Sequence, residues 1–110
     1  MVIESFEVKI YQDKLAKQPF IEWLESLKDL RAIAKIQARI ARLRLGNLGD
    51  YKSLGQGLYE LRINEGGGYR IYFAQDSRLV IILLMAGSKR TQVKDIKKAR
   101  IYLQYYRSQQ

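Results

Sequence analysis

Leu58-Tyr59-Glu60-Leu61-Arg62-Ile63-Asn64, then Glu65-Gly66-Gly67-Gly68, then Tyr69-Arg70-Ile71-Tyr72-Phe73-Ala74 is the stretch that decides the fold of this chain. Successive side chains on a strand point to opposite faces. Tyr59, Leu61 and Ile63 therefore share a face, as do Tyr69, Ile71 and Phe73. If the two apolar faces coincide, Glu60, Arg62, Arg70 and Tyr72 all point the other way. Glycine reaches positive φ without a Cβ clash, so Glu65 to Gly68 reads as the turn of a hairpin. One side of that hairpin suits a core; the other carries charge.

The rest of the chain is read outward from this hairpin. Asp76-Ser77 reads as a second turn. Leu79 to Ala86 is apolar without alternation, which suits a central strand covered on both faces. Lys89-Arg90 stands just past its end. Thr91 reads as the cap of a last helix, with Ile96, Ala99, Leu103 and Tyr106 as its inner stripe. Upstream, Gly46 to Gly57 holds four glycines and reads as a long loop of the kind that is often functional. Leu30 to Leu45 reads as a helix ended by Gly46, with an apolar stripe of Leu30, Ile33, Ile36 or Gln37, Ile40 and Leu43. Pro19 suits a first helical turn, followed by Phe20, Trp23, Leu24 and Leu27 at helical spacing. Trp23 reads as core packing rather than as a binding anchor. Val2 to Tyr11 reads as a strand. The order is βααβββα, an α+β fold: a twisted, mainly antiparallel sheet packed with helices, with residues 1–110 forming a single domain.

Composition narrows the chemistry. The 110 residues include no cysteine and no histidine. Disulfides, thiolate sites, a cysteine nucleophile and the commonest general base are thereby excluded. No metal and no cofactor is expected. No run of about 18 apolar residues is present, so no membrane span is expected and a cytoplasmic protein fits best. The net charge is +9. Residues 1–29 hold four Lys against six Asp or Glu; residues 30–110 hold sixteen Lys or Arg against five Asp or Glu. So basic a second part suits a polyanionic partner. Arg31, Lys35, Arg39 and Arg42 fall at spacings of four, four and three, one basic stripe on the second helix. Like charges so placed cost roughly 0.2–0.5 kcal/mol per pair in an isolated helix. A partner's surface or plain solvation would account for them. The glycines match neither GxxxxGK[ST] nor a GxGxxG that opens a helix, so nucleotide binding by those motifs is excluded.

Gly57-Leu58-Tyr59-Glu60-Leu61-Arg62, Gly68-Tyr69-Arg70-Ile71-Tyr72-Phe73, and Leu84 followed by Gly87-Ser88-Lys89-Arg90-Thr91-Gln92 and Asp95-Ile96-Lys97-Lys98-Ala99 resemble, in order and spacing, the RelE/ParE superfamily of toxins. The nearest subgroup is the HigB-like, or addiction module killer, branch, which Pro19-Phe20 and Trp23-Leu24 also suit. The resemblance covers nearly the whole chain. It implies a small basic bacterial toxin of a type II toxin–antitoxin module, with a fold similar to microbial ribonucleases. Many members cleave mRNA in the ribosomal A site without a metal; a ParE branch inhibits DNA gyrase and is not a nuclease. A cognate antitoxin, often of helix-turn-helix type in the HigB-like branch, holds the toxin inactive in a hetero-oligomer. By the same resemblance Arg70 and Arg90 match the two catalytic arginines and Arg62 a strand lysine that contacts RNA. Glu60 stands where a second lysine would be, and Ile96 about where RelE carries a tyrosine that serves the chemistry. The histidines of HigB and YoeB toxins are missing.

Metal-free RNA cleavage uses the substrate's own 2′-hydroxyl, and cations stabilise charge developing on the phosphate. Arg70 and Arg90 suit that role, since a guanidinium stays charged and binds phosphate through two bonds. Glu60 is the carboxylate expected to face this cluster, either as the base or as an ion-pair partner of Arg62 or Arg70. Lys89 is a candidate acid. Tyr72 would orient a phosphate, stack on a base or donate a proton, or simply pack against its neighbours. Lys94, Lys97 and Lys98 read as contacts to RNA or to an acidic antitoxin. The Arg31, Lys35, Arg39, Arg42 stripe, or the strand surface, reads as the place an antitoxin covers. Three outcomes remain open: an mRNA endoribonuclease, a gyrase-inhibiting binding toxin, or a toxin fold with decayed activity.

Overall fold

A computed structural model describes residues 5–110. Its elements run β1 (Glu7–Ile10), α1 (Pro19–Ser26), α2 (Leu30–Arg44), β2 (Tyr51–Gly55), β3 (Leu58–Ile63), β4 (Tyr69–Ser77), β5 (Val80–Ser88), a 3₁₀ turn at Lys89–Thr91 and α3 (Gln92–Ser108). The five strands form one sheet in the order β1-β5-β4-β3-β2. β2 to β5 are an antiparallel meander, and β1 joins the far edge parallel to β5. The α+β reading holds, with one strand more than expected.

In the β3–β4 hairpin the apolar faces coincide, as the reading of the two strands supposed. Leu61 lies opposite Ile71, Glu60 opposite Tyr72 and Arg62 opposite Arg70. Gly66 and Gly68 in its loop have φ of 56° and 92°, which only glycine adopts readily. The apolar side of the sheet (Leu61, Ile63, Ile71, Phe73, Ile81, Leu83) packs under α1 and α2 through Phe20, Ile36, Ile40 and Leu43. The opposite side (Leu58, Tyr72, Ala74, Ile82, Leu84, Met85) packs under α3 through Ala99 and Leu103. Helices thus cover both faces, so β5 is buried continuously from Ile81 to Gly87. A register shift between Tyr72 and Phe73 skips Leu84, leaving Leu84 and Met85 together on the α3 side.

Several local readings are corrected. Gly46 to Gly57 is not all loop, because β2 lies inside it. β2 is an edge strand whose residues are mostly exposed, so it has no apolar alternation to reveal it. Asp76 and Ser77 continue β4, and the turn falls at Arg78-Leu79. Leu30 is the first residue of α2 and is 79% exposed; Ala32 takes the buried position. The helix begins there because Asp29 accepts from the backbone N–H groups of Arg31 and Ala32 at 3.0 and 3.2 Å. Thr91 precedes α3, but its hydroxyl makes no cap to the helix backbone. It donates instead to Asp95 and to the Ser88 carbonyl. Within the Val2–Tyr11 reading, β1 spans Glu7–Ile10; Val2, Ile3 and Glu4 lie outside the described residues. Trp23 is half-buried against the core and meets Tyr69 edge-on, ring centroids 5.7 Å apart.

Candidate anion site at the hairpin end of the sheet

Strand register places two arginines side by side, and a carboxylate reconciles them. Arg62 and Arg70 face each other across β3 and β4, a like-charge pair that is unfavourable alone. Glu60 lies beneath both. Its Oε1 accepts from Arg62 Nε at 3.0 Å and lies 3.7 Å from Arg70 Nε. Its Oε2 accepts from the Gln92 amide at 2.7 Å. Glu60 has no exposed surface and Arg70 retains 8%. Both oxygens of the carboxylate are therefore engaged within the protein. The Arg70 guanidinium also donates to the Tyr69 carbonyl at 3.2 Å, and its buried Nε makes no hydrogen bond.

Beyond this buried pair the surface opens. Arg70 and Lys89 line a cleft of about 340 Å³ whose other walls are Asn64, Glu65 and the three loop glycines. The Lys89 N–H donates to the Gly68 carbonyl at 3.0 Å, tying the end of β5 to the hairpin loop. A Cβ on Gly68 would make only ordinary contact with Lys89 and the Arg70 guanidinium, at 3.6 and 3.7 Å, so it is the φ of 92° that calls for glycine there. A guanidinium and an ammonium on a polar, glycine-walled floor suit an anion. Among the described residues no three acidic side chains converge on a point that would hold a metal ion.

The structure gathers Glu60, Arg62, Arg70, Tyr72 and Lys89 around this end of the sheet. Tyr72 is fully buried under α3 and its hydroxyl has no hydrogen-bond partner. Burial raises the phenol above its ordinary value; the Glu60 and Asp95 charges push the same way and Arg70 opposes them. Arg90 is exposed and lines a separate cleft of about 440 Å³ with Thr91, Val93, Lys94 and Lys97. Lys98 is exposed on α3.

The basic stripe of α2 does not survive as one free surface. The Arg39 guanidinium donates to the carbonyls of Arg62 (2.5 Å), Leu48 (3.1 Å) and Asp50 (3.0 Å). It thereby clamps α2 to the loop before β2 and to β3. Burial lowers its pKa, Arg42 adds to that and Asp50 opposes it. Lys35 pairs with Glu65 at 3.1 Å. Arg31 and Arg42 are exposed. The stripe is thus explained in part by bonds inside the protein.

Three further residues shape the site. Gln92 ties the start of α3 to Glu60. Asp95 is 6% exposed and accepts the Thr91 hydroxyl. Gly87 lies directly beneath them: a Cβ there would overlap the Asp95 carboxylate and come within 2.9 Å of the Thr91 hydroxyl. Gly87 was the legible signal, since a glycine ending an apolar strand marks a close approach.

The family of phage-derived Gp49-like proteins (DUF891) matches the chain over residues 22–106, which include every residue of this site. An uncharacterized protein of Haemophilus influenzae is 54% identical over 85 residues, covering 77% of this chain and 86% of that relative.

Proposed function

The chain belongs to the Gp49-like family, and we propose on that premise that it is the toxin of a type II toxin–antitoxin module, related to the RelE/ParE superfamily, that cuts mRNA on the ribosome. The observation that carries this reading is Arg70. It is nearly buried, braced from below by Glu60, and presents its guanidinium with Lys89 to an open, glycine-walled cleft.

In the proposed reaction the substrate's 2′-oxygen attacks the adjacent phosphorus and the bond to the departing 5′-oxygen breaks. A 2′,3′-cyclic phosphate and a 5′-hydroxyl result. The 2′-hydroxyl proton passes to solvent water during attack, and Lys89 gives a proton to the departing 5′-oxygen. Arg70 stabilises the charge that gathers on the phosphate oxygens, and Arg62 binds the neighbouring backbone. Lys89 is the exposed group near the cleft that can deliver a proton. Glu60 serves as a positioning residue rather than as the base, because its oxygens hold Arg62 and Gln92. Tyr72 likewise supports the site from beneath. Alignment of the message by the ribosome would supply much of the barrier reduction, lessening the need for a strong base. The toxin acts in the cytoplasm, and a cognate antitoxin, of helix-turn-helix type, covers its basic surface until released.

One observation favours a second reading. Glu60 and Tyr72, two of the proton-transfer candidates, have no exposed surface. A binding toxin that poisons gyrase needs no acid–base pair. Pulse labelling after induction separates the two. The nuclease reading predicts that protein synthesis stops first while DNA synthesis continues. An early block of DNA synthesis with intact mRNA would replace it with the gyrase reading.

A further inference from the structure

The far end of α3 carries a second concentration of cations that the hairpin site does not use. At the β2–β3 turn Gly55, Gln56 and Gly57 all have positive φ: 87°, 57° and 83°. Gln56 is a rare non-glycine in that region, and such outliers cluster at functional sites. The turn is held by α3. Arg100 donates to the carbonyls of Leu54 (2.6 Å) and Gly55 (3.4 Å), and Arg107 to that of Gln56 (3.0 Å). The Arg107 guanidinium occupies the space a Cβ on Gly57 would need. Carbonyls are dipoles, so both guanidinium charges remain uncompensated, and among the described residues neither forms an ion pair with a carboxylate. Arg100, Gln104 and Arg107 then wall an open cleft of about 500 Å³ with Gln56, floored by Leu103.

A separate cleft lined by Arg90, Thr91, Val93, Lys94 and Lys97 lies at the start of α3. Arg90, Lys94 and Lys97, then Arg100, Gln104 and Arg107, follow at steps of four, three, three, four and three. At that spacing side chains stay on one side of a helix. The only acid of α3, Asp95, is buried and bound to Thr91. From Lys94 to Arg107 α3 advances about 20 Å, and Arg90 precedes it in the 3₁₀ turn. A regular row of donors with no exposed acid matches a regular polyanion.

We propose that the row from Arg90 in the 3₁₀ turn along the α3 face to Arg107, ending in the Gln56–Arg100–Gln104–Arg107 cleft, is a track for the phosphate backbone of single-stranded RNA that leaves the hairpin site. The proposal rests on the reading of Arg70 and Lys89 as the RNA site and extends it to a longer substrate. The left-handed turn is the end stop that aims its residues into the track.

The test compares binding of single-stranded RNA of five and fifteen nucleotides by fluorescence anisotropy across a salt series; small single-strand-binding folds occupy about 4–16 nucleotides. The wild-type protein should bind the longer RNA more tightly, with a log–log salt slope steeper by about 0.7 per added phosphate contact. Gln104→Glu puts a carboxylate into the cleft without removing the bonds that hold the turn. It should weaken binding of the longer RNA by about tenfold and leave the shorter unchanged, whereas Arg70→Ala should weaken both. Equal binding of the longer RNA by Gln104→Glu and wild type would overturn the track. So would a Gln104→Glu defect seen with a poly-glutamate peptide but not with RNA, which would make the cleft a protein-docking surface. If Arg70→Ala changes neither length while Gln104→Glu weakens the longer, the hairpin site fails and the track stands.

Discussion

Both faces of the sheet carry an apolar core, but among the described residues only one of them also buries charge. Under α1 and α2 the contacts are apolar: Phe20, Ile36 and Leu43 against Leu61, Phe73 and Leu83. Under α3 the strands bury Glu60, Arg70 and the Tyr72 hydroxyl, and α3 itself buries Asp95 against them. Burying ions costs several kcal/mol each unless close partners offset it. The bonds from Arg62 and Gln92 to Glu60, and from Thr91 to Asp95, are those partners. Both faces bury apolar area, the second through Leu58, Ile82 and Leu84 against Ala99 and Leu103. The second also fixes where charge stands, and the open cleft lined by Arg70 and Lys89 lies at its rim.

Adjacent residues on β3 offer the hardest test of that contrast. Glu60 points to the charged face and Leu61 to the apolar one. Glu60→Ala leaves Arg70 buried without its carboxylate and should cost about 3–5 kcal/mol. Leu61→Ala should cost a similar 2–5 kcal/mol as a cavity. Urea unfolding would measure both. Under conditions where each variant is folded, RNA cleavage should be lost with Glu60→Ala and kept with Leu61→Ala. Equal loss in both would dissolve the distinction between the faces.

Next in size is Gly87→Ala, which forces its new methyl into Asp95 and Thr91. Overpacking of this kind costs about 1–3 kcal/mol. Since the start of α3 must shift, the salt dependence of RNA binding should change as well, and unaltered binding would free the Asp95 contact from any part in the site. Asp29→Ala, a cap on the apolar side, should cost about 1 kcal/mol and leave RNA cleavage intact.

The smallest expected effect is Tyr72→Phe. Its hydroxyl is buried without a partner, so removing it should be neutral or stabilising, by up to about 1 kcal/mol at neutral pH. Alkali should enlarge the difference. A phenol whose pKa is raised on folding contributes stability that is whole below its unfolded value near 10 and is lost as pH rises through the folded value. Tyr11 and Tyr106 are pushed up to about 12 and Tyr72 is raised too, burial leading in each case. Wild type should therefore lose stability from pH 10 upward, and Tyr72→Phe should lose less. Denaturant midpoints at pH 7 and pH 11 give the comparison. A marked fall in stability at pH 7 would mean that the hydroxyl is bonded.

Residues with two readable faces were legible from the chain alone. Alternation in Leu58–Ala74 predicts which residues share a face, with Glu60, Arg62, Arg70 and Tyr72 on one side, because period-2 patterning and a triple-glycine turn leave little choice. β2 was illegible because it is an exposed edge whose pairing depends on β3. The depth of Glu60 and Tyr72 was hidden for a different reason. Their face reads as polar, yet α3 comes from far along the chain to cover it. Gln92, which binds Glu60, is separated from it by 32 positions with no pattern linking the two. The parting of Arg90 from Arg70 likewise depends on the 3₁₀ turn after β5, which the Lys89-Arg90-Thr91 sequence does not announce.

The central claim is that Arg70, braced by Glu60, serves RNA cleavage. Its most direct test is to map mRNA ends in cells expressing wild type or Arg70→Ala at equal, folded levels. Loss of new mRNA 5′ ends together with loss of growth inhibition is the predicted result. Unchanged cleavage and unchanged inhibition with Arg70→Ala would contradict it.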